Sequence, residues 1–186
     1  MRINVVFKKV LSLRNLSILL LIGAIYYPIQ GITKTPPVAK NRTKVVKIDF
    51  ILIEKQKRQM TVFKDSKPLK HYSIALGFNP VGHKQEKGDG KTPEGIYKIS
   101  DKNPGSQFYK SLRISYPNAT DTRNAVKQGK KTGGDIMIHG LPKAFNFVGK
   151  AHILKDWTLG CVAVTNAEID EIYAATAVGT QVKIVP

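Results

Sequence analysis

At 186 residues, 42% apolar and 23% charged, the chain suits one folded domain plus an extension and is too apolar for wholesale disorder. Thirty Lys and Arg against thirteen Asp and Glu give a net charge of +17, which favours anionic partners without choosing among nucleic acid, acidic lipid and acidic polymer. The single cysteine, Cys161, excludes an internal disulfide and any cysteine-based zinc cluster. The histidines (His71, His83, His139, His152) lack HExxH or paired-ligand spacing, so neither a metal nor a cofactor is expected.

Residues 1–15 are basic, and Leu16 to Tyr27 is almost wholly apolar. That pattern predicts export, with residues 1–30 acting as a signal peptide or as an N-terminal membrane anchor. Pro28 and Pro36-Pro37 stop the segment from continuing into a core helix, and residues 31–43 read as a linker.

Alternation then begins. Val46, Ile48, Phe50 and Leu52 are expected on one face of a strand, with Lys47 and Asp49 opposite. Glu54 to Arg58 is a turn, Met60 to Phe63 the returning strand, Asp65 to Pro68 a second turn, and Leu69 to Leu76 a third strand. Gly77 to Gly95 is a long loop rich in Gly and Pro, the kind that carries function in compact domains. Strands are expected at Gly95–Ile99 and Leu112–Tyr116, separated by a loop over 101–111. Asn118 to Gly134 reads as polar surface, including the basic run Arg123 to Lys131. Ile136 to His139 is a buried strand with the histidine at its exit. Thr165-Asn166-Ala167-Glu168 is a capping box opening a helix that Gly179 would stop, and Gln181 to Val185 is the closing strand. The sum is mainly β with one C-terminal helix.

The chemistry centres on Thr158-Leu159-Gly160-Cys161. A thiol reacts as thiolate, and an imidazole within reach can take its proton; His139 is the candidate base, with the Gly140 carbonyl to orient it. Gly160 lets a substrate carbonyl approach the backbone, so the Gly160 and Cys161 amides are candidate oxyanion donors. Thr158 is a candidate substrate contact that would also position the site or cap the turn. Tyr116 and Trp157 are candidate substrate contacts; an aromatic ending a strand, as Tyr116 does, is more often packing, and Trp157 equally fits a core residue. His71, His83 and His152 read as solvent-exposed. Taken alone, a lone Cys and His also fit a small core cysteine with no chemistry; an unpaired thiol outside the cytoplasm favours a use for it.

Several strings resemble one family. His139-Gly140, seventeen residues, then Thr158-x-Gly160-Cys161 is similar to the signature of the L,D-transpeptidase (YkuD-type) catalytic domain. Gly88-Asp89-Gly90-Lys91-Thr92-Pro93-Glu94-Gly95, Ser115-Tyr116-Pro117 and Asp156 to Asn166 resemble its YafK-like branch. The resemblance runs from about residue 44 to the C-terminus. It implies a YkuD-like β-sandwich or roll of mixed sheets with a flanking C-terminal helix. It also implies cysteine-dependent acyl transfer on peptidoglycan stem peptides in the periplasm or cell envelope, with Cys161 as nucleophile, His139 as base and Gly140 as its orienting carbonyl. The same resemblance places the oxyanion donors at Gly160 and Cys161. The acyl acceptor is an amine or water, and a peptidoglycan-linked envelope protein is a second substrate for the branch. Two positions depart from the wider family: Leu159 stands where a second histidine is usual, and Ala163 where an arginine is usual.

Two other classes compete. A non-catalytic, basic envelope-binding module would hold peptidoglycan or another acidic polymer by charge alone. Nucleic-acid binding is disfavoured by the export segment and by the lack of a recognition motif, so no nucleic-acid partner is expected.

Overall fold

β-Branched and aromatic residues alternating with polar ones build a three-stranded antiparallel meander: β1 (Ile48–Glu54), β2 (Gln59–Lys64) and β3 (Lys67–Ser73). The structure, a computed structural model, describes residues 45–186; the segments expected over 1–30 and 31–43 lie outside the described residues. After the meander come β4 (Gly95–Ser106), β5 (Tyr109–Ile114), α1 (Ala119–Lys127) and β6 (Met137–His139). A 3-10 segment (Lys143–Leu154), β7 (Val162–Ala163), α2 (Asn166–Ala175) and β8 (Thr176–Val185) complete the chain.

The strands form one mixed sheet of order β3-β2-β1-β8-β4-β5-β6-β7. The pairs β1–β8 and β6–β7 are parallel and the rest antiparallel. Strand β4 is the bridge: residues 95–98 pair with β8, and its second half pairs with β5. This is the mainly β, mixed-sheet fold with a C-terminal helix expected above. Ile51, Ile53, Ile74, Leu112, Ile138, Val182 and Ile184 are at most 1% exposed and belong to a single core. Each such side chain contributes about 2 kcal/mol by leaving water.

Four local expectations change. In β1 the buried face is Ile51 and Ile53, whereas Val46 is 54% exposed and Phe50 and Leu52 are half-buried. A register shift against β8 between Ile48 and Phe50 exchanges the two faces beyond it, and the Phe50 ring instead meets Phe63 at 5.5 Å. The span 101–111 is not a loop but the end of a β4–β5 hairpin turning at Gln107-Phe108. Residues 119–127 are helical. Asn118 accepts from the amides of Thr120 and Asp121 while Asp121 accepts from the Asn118 amide, a capping box written with Asn and Asp. The C-terminal helix starts at its Thr165–Glu168 capping box as expected, but it ends at Ala175, before Gly179. Thr176 is already extended, and the β1–β8 pairing takes the backbone over from there.

Candidate active site

The cysteine turn is held against the segment that follows β3. Ala75 and Ala163 exchange backbone bonds (3.0 and 2.8 Å), Thr158 N–H donates to Leu76 O (3.1 Å), and Phe78 N–H donates to Thr158 O (2.9 Å). The Asp156 carboxylate closes this corner. It accepts from the Leu76 amide (2.8 Å) and pairs with the Arg58 guanidinium at 2.7 Å. Inside the turn, the Thr158 hydroxyl donates to Cys161 O (2.7 Å) and accepts from Gly160 N–H (3.1 Å). The Gly160 amide is therefore engaged, whereas the Cys161 amide makes no hydrogen bond among the described residues.

Gly160 is dictated twice over. Its φ of +128° lies where a side chain is strained, and a Cβ there would stand 2.6 Å from Lys91 O and 3.0 Å from Ile136 Cδ1. Gly160→Ala is expected to destabilise the domain by about 3 kcal/mol, read as a lower urea midpoint at unchanged slope.

Strand β6 delivers the histidine. His139 is 1% exposed, and its Nδ1 lies 2.7 Å from Gly140 O. A carbonyl only accepts, so Nδ1 carries the proton and Nε2 keeps its lone pair. Phe108, from the tip of the β4–β5 hairpin, stacks on the ring at 4.3 Å, and Trp157 meets it edge-on at 5.8 Å. Gly140 is required because a Cβ would stand 2.5 Å from Asn166 Oδ1. Asn166 Oδ1 in turn accepts from Leu141 N–H at 2.6 Å.

His139 and Cys161 line one cleft of about 290 Å³, together with Phe108, Trp157, Thr158, Leu159 and the 134–137 backbone. Burial pushes the imidazole down to about 4, against the opposing pull of the Gly140 carbonyl. Burial also pushes the half-buried Cys161 thiol up, with a Met137 backbone contact and the Lys84 charge working the other way. At neutral pH the cleft therefore holds a neutral thiol and a neutral imidazole.

Not every candidate residue reaches this cleft. Tyr116 is 4% exposed and sits in the core, edge-on to Tyr97 at 6.0 Å, with its hydroxyl donating to Thr132 O. It is a packing residue: the segment that leaves β5 turns its side chain into the core. His152 is not solvent-exposed either. It is 7% exposed, and neither ring nitrogen has a partner among the described residues. It lines an apolar cavity of about 290 Å³ with Leu141, Phe145 and Val148, on the far side of Trp157. His83 is a clamp rather than free surface: Nδ1 accepts from Glu94 N–H (3.0 Å), and Nε2 faces Asp121 at 3.3 Å. Phe108 escaped the sequence reading; its only trace there is the aromatic pair Phe108-Tyr109 closing the polar run 101–107.

Residues 48–184 match the YkuD family, described as the L,D-transpeptidase catalytic domain. The chain belongs to that family. YafK of Escherichia coli (strain K12) is 31% identical over 130 residues, which cover 67% of this chain and 45% of YafK. The helical cell shape determining protein Pgp2 from Campylobacter jejuni superposes with a TM-score of 0.57 at 27% identity, covering 75% of this chain and 48% of Pgp2. Bd1075 of Bdellovibrio bacteriovorus shares the fold, with a TM-score of 0.53 at 24% identity over 77% of this chain and 50% of that one. The chain thus spans about half the length of these relatives.

Within the YkuD frame the two departures acquire a physical setting. Leu159, where the wider family usually has a histidine, is 76% exposed at the cleft mouth. Ala163, at the usual arginine position, is fully buried, paired to His139 in β6 and bridged to Ala75. No room for a long cationic side chain remains there.

Proposed function

We propose that the domain catalyses acyl transfer on peptidoglycan stem peptides through a Cys161 thioester. The observation that carries this reading is the shared cleft of Cys161 and His139, with the imidazole tautomer set by the Gly140 carbonyl. His139 Nε2 takes the thiol proton as Cys161 Sγ attacks the carbonyl of the bond between the diamino acid and the terminal D-alanine. The tetrahedral oxyanion is received by the Cys161 amide, joined by the Gly160 amide once it exchanges its Thr158 acceptor. Collapse breaks the C–N bond, and the imidazolium returns the proton to the departing amine. An amine or a water then attacks the thioester, giving a new amide or a free acid and restoring the thiol.

The setting is the exported cell envelope. It is supported by the basic and apolar N-terminal sequence and by the similarity to Pgp2, a helical cell shape determining protein. Peptidoglycan stem peptides are the substrate, a peptidoglycan-linked envelope protein is a second one, and the N-terminal segment either directs export or stays as a membrane anchor. Thr158 holds the cysteine turn and Trp157 walls the cleft.

Incubating the protein with tetrapeptide muropeptides, and with peptidoglycan carrying a linked protein, tests the reading by mass spectrometry of the products. Cross-linked dimers assign an amine acceptor; shortened stems or released protein assign water. Absence of all of these products from the wild-type protein would sink the proposal.

A further inference from the structure

The cleft that holds Cys161 is one end of a longer groove. A second cavity, of about 520 Å³, shares Gly134, Asp135 and Leu159 with it and continues past Gly133 to Lys84 and Lys87. Its floor is bare backbone. Gly133 and Gly134 carry no side chains, and a Cβ at Gly134 would meet nothing within 4 Å. The amides of Gly133, Gly134 and Asp135 make no hydrogen bond among the described residues, although β6 begins two residues later. Unpaired amides beside a strand are the pattern an extended peptide completes by adding its own backbone.

Charge sorts the walls. Lys84 is 3% exposed and committed to Asp89 (2.7 Å) and Glu86 O (3.0 Å). Asp135 is paired with Arg113, and Glu86 lies 3.3 Å from Lys130. Lys87 alone of the groove's charged side chains has no ionic partner among the described residues. Its backbone is nevertheless anchored. Lys87 N–H donates to Lys131 O at 2.7 Å, and a Cβ on Gly133 would stand 3.2 Å from both Lys87 Cα and Cβ. The loop around it is knotted by Asp89, which accepts from the amides of Gln85, Glu86 and Lys91 as well as from Lys84. An anchored backbone limits the volume the ammonium can sweep, so less freedom is lost on taking a ligand.

Resting on the function proposed above, we infer that this arm binds the acyl-donor peptide: the donor lies extended over Gly133–Asp135, and Lys87 receives one of its carboxylates. The ligand class is an acidic peptide with a free carboxylate on the donor side of the scissile bond. Lys87 thus supplies the positive charge for which the buried Ala163 leaves no room.

The test uses the full chain and two probes, a stem tetrapeptide with free carboxylates and the same peptide fully amidated. Binding is measured by titration calorimetry on protein carrying Cys161→Ala, which removes turnover from the readout. Adding Lys87→Ala is expected to weaken the acidic peptide about tenfold and Lys87→Glu further, with Lys87→Arg restoring most of the affinity; the amidated peptide is indifferent to all three. Gly134→Val, whose Cβ enters open space, is expected to weaken both peptides. In turnover by otherwise wild-type protein, Lys87→Ala raises KM and leaves kcat nearly unchanged. Equal losses on the two peptides, no loss with Lys87→Ala, undisturbed binding with Gly134→Val, or no binding of either peptide would each overturn the inference. Turnover that persists while Lys87→Ala changes nothing refutes the groove and leaves the proposed function standing. Carboxylate-dependent binding by a protein that turns over nothing refutes the function and leaves the groove standing.

Discussion

Cys161→Ala is expected to lower stem-peptide turnover at least about a thousandfold while the domain stays folded. The chemistry allows no substitute. Cys161 is the only thiol in the chain, and a methyl group forms no thioester. Nor does the fold lean on the sulfur. Cys161 is half-buried, and its sulfur makes only weak backbone contacts, with Asp135 O at 3.5 Å and with Met137. The turn around it is held by Thr158, Asp156 and Arg58, so the cost in stability should stay near 1 kcal/mol. Kinetics and a thermal melt on the same preparation check both halves.

His139→Gln should cost about 10²–10⁴ in kcat/KM, the range for loss of a positioned general base. It should also change how stability depends on pH. The unfolded chain protonates this histidine near 6.5, whereas the native site resists until about 4 because the charged ring would be buried. The unfolded state thus binds more protons between these values. Stability contributed by the neutral ring is fully present above pH 6.5 and is lost as pH falls toward 4, by about 3 kcal/mol in all. Denaturant melts at pH 7, 5.5 and 4.5 should show this slope for the wild-type protein and a shallower one for His139→Gln, the remainder coming from groups such as His152, which burial also pushes down. On the proposed mechanism the same depression puts the acid limb of kcat/KM near 4, since a general base acts only when unprotonated. A limb near 6.5 would contradict the buried neutral base.

What the sequence conveyed and what it hid follow from different physics. The thiol, the histidine at a strand exit and the Thr165–Glu168 cap are local patterns, and all were legible. Alternation found most strands but misjudged the face of β1, because a register shift between Ile48 and Phe50 is fixed by the parallel pairing with β8, over a hundred residues away. Helix α1 was hidden by its lack of an apolar stripe: only Asp121 and Ala125 are buried, and its cap uses Asn and Asp. Phe108 and the unpaired amides of Gly133–Asp135 were invisible for a third reason. Their placement depends on which strands meet at the cleft, and no periodicity records that. Tyr116 and His152 erred in opposite directions, one expected at the site and found in the core, the other expected in water and found buried. Single aromatic and histidine positions carry too little pattern to fix their side.

Intact-protein mass spectrometry during turnover of a tetrapeptide donor tests the central claim most directly. The account predicts a transient adduct whose mass equals the donor minus D-alanine, mapped by proteolysis to the peptide containing Cys161 and discharged by an amine or by water. Turnover that proceeds with no adduct at Cys161, and at an undiminished rate in Cys161→Ala, would contradict it.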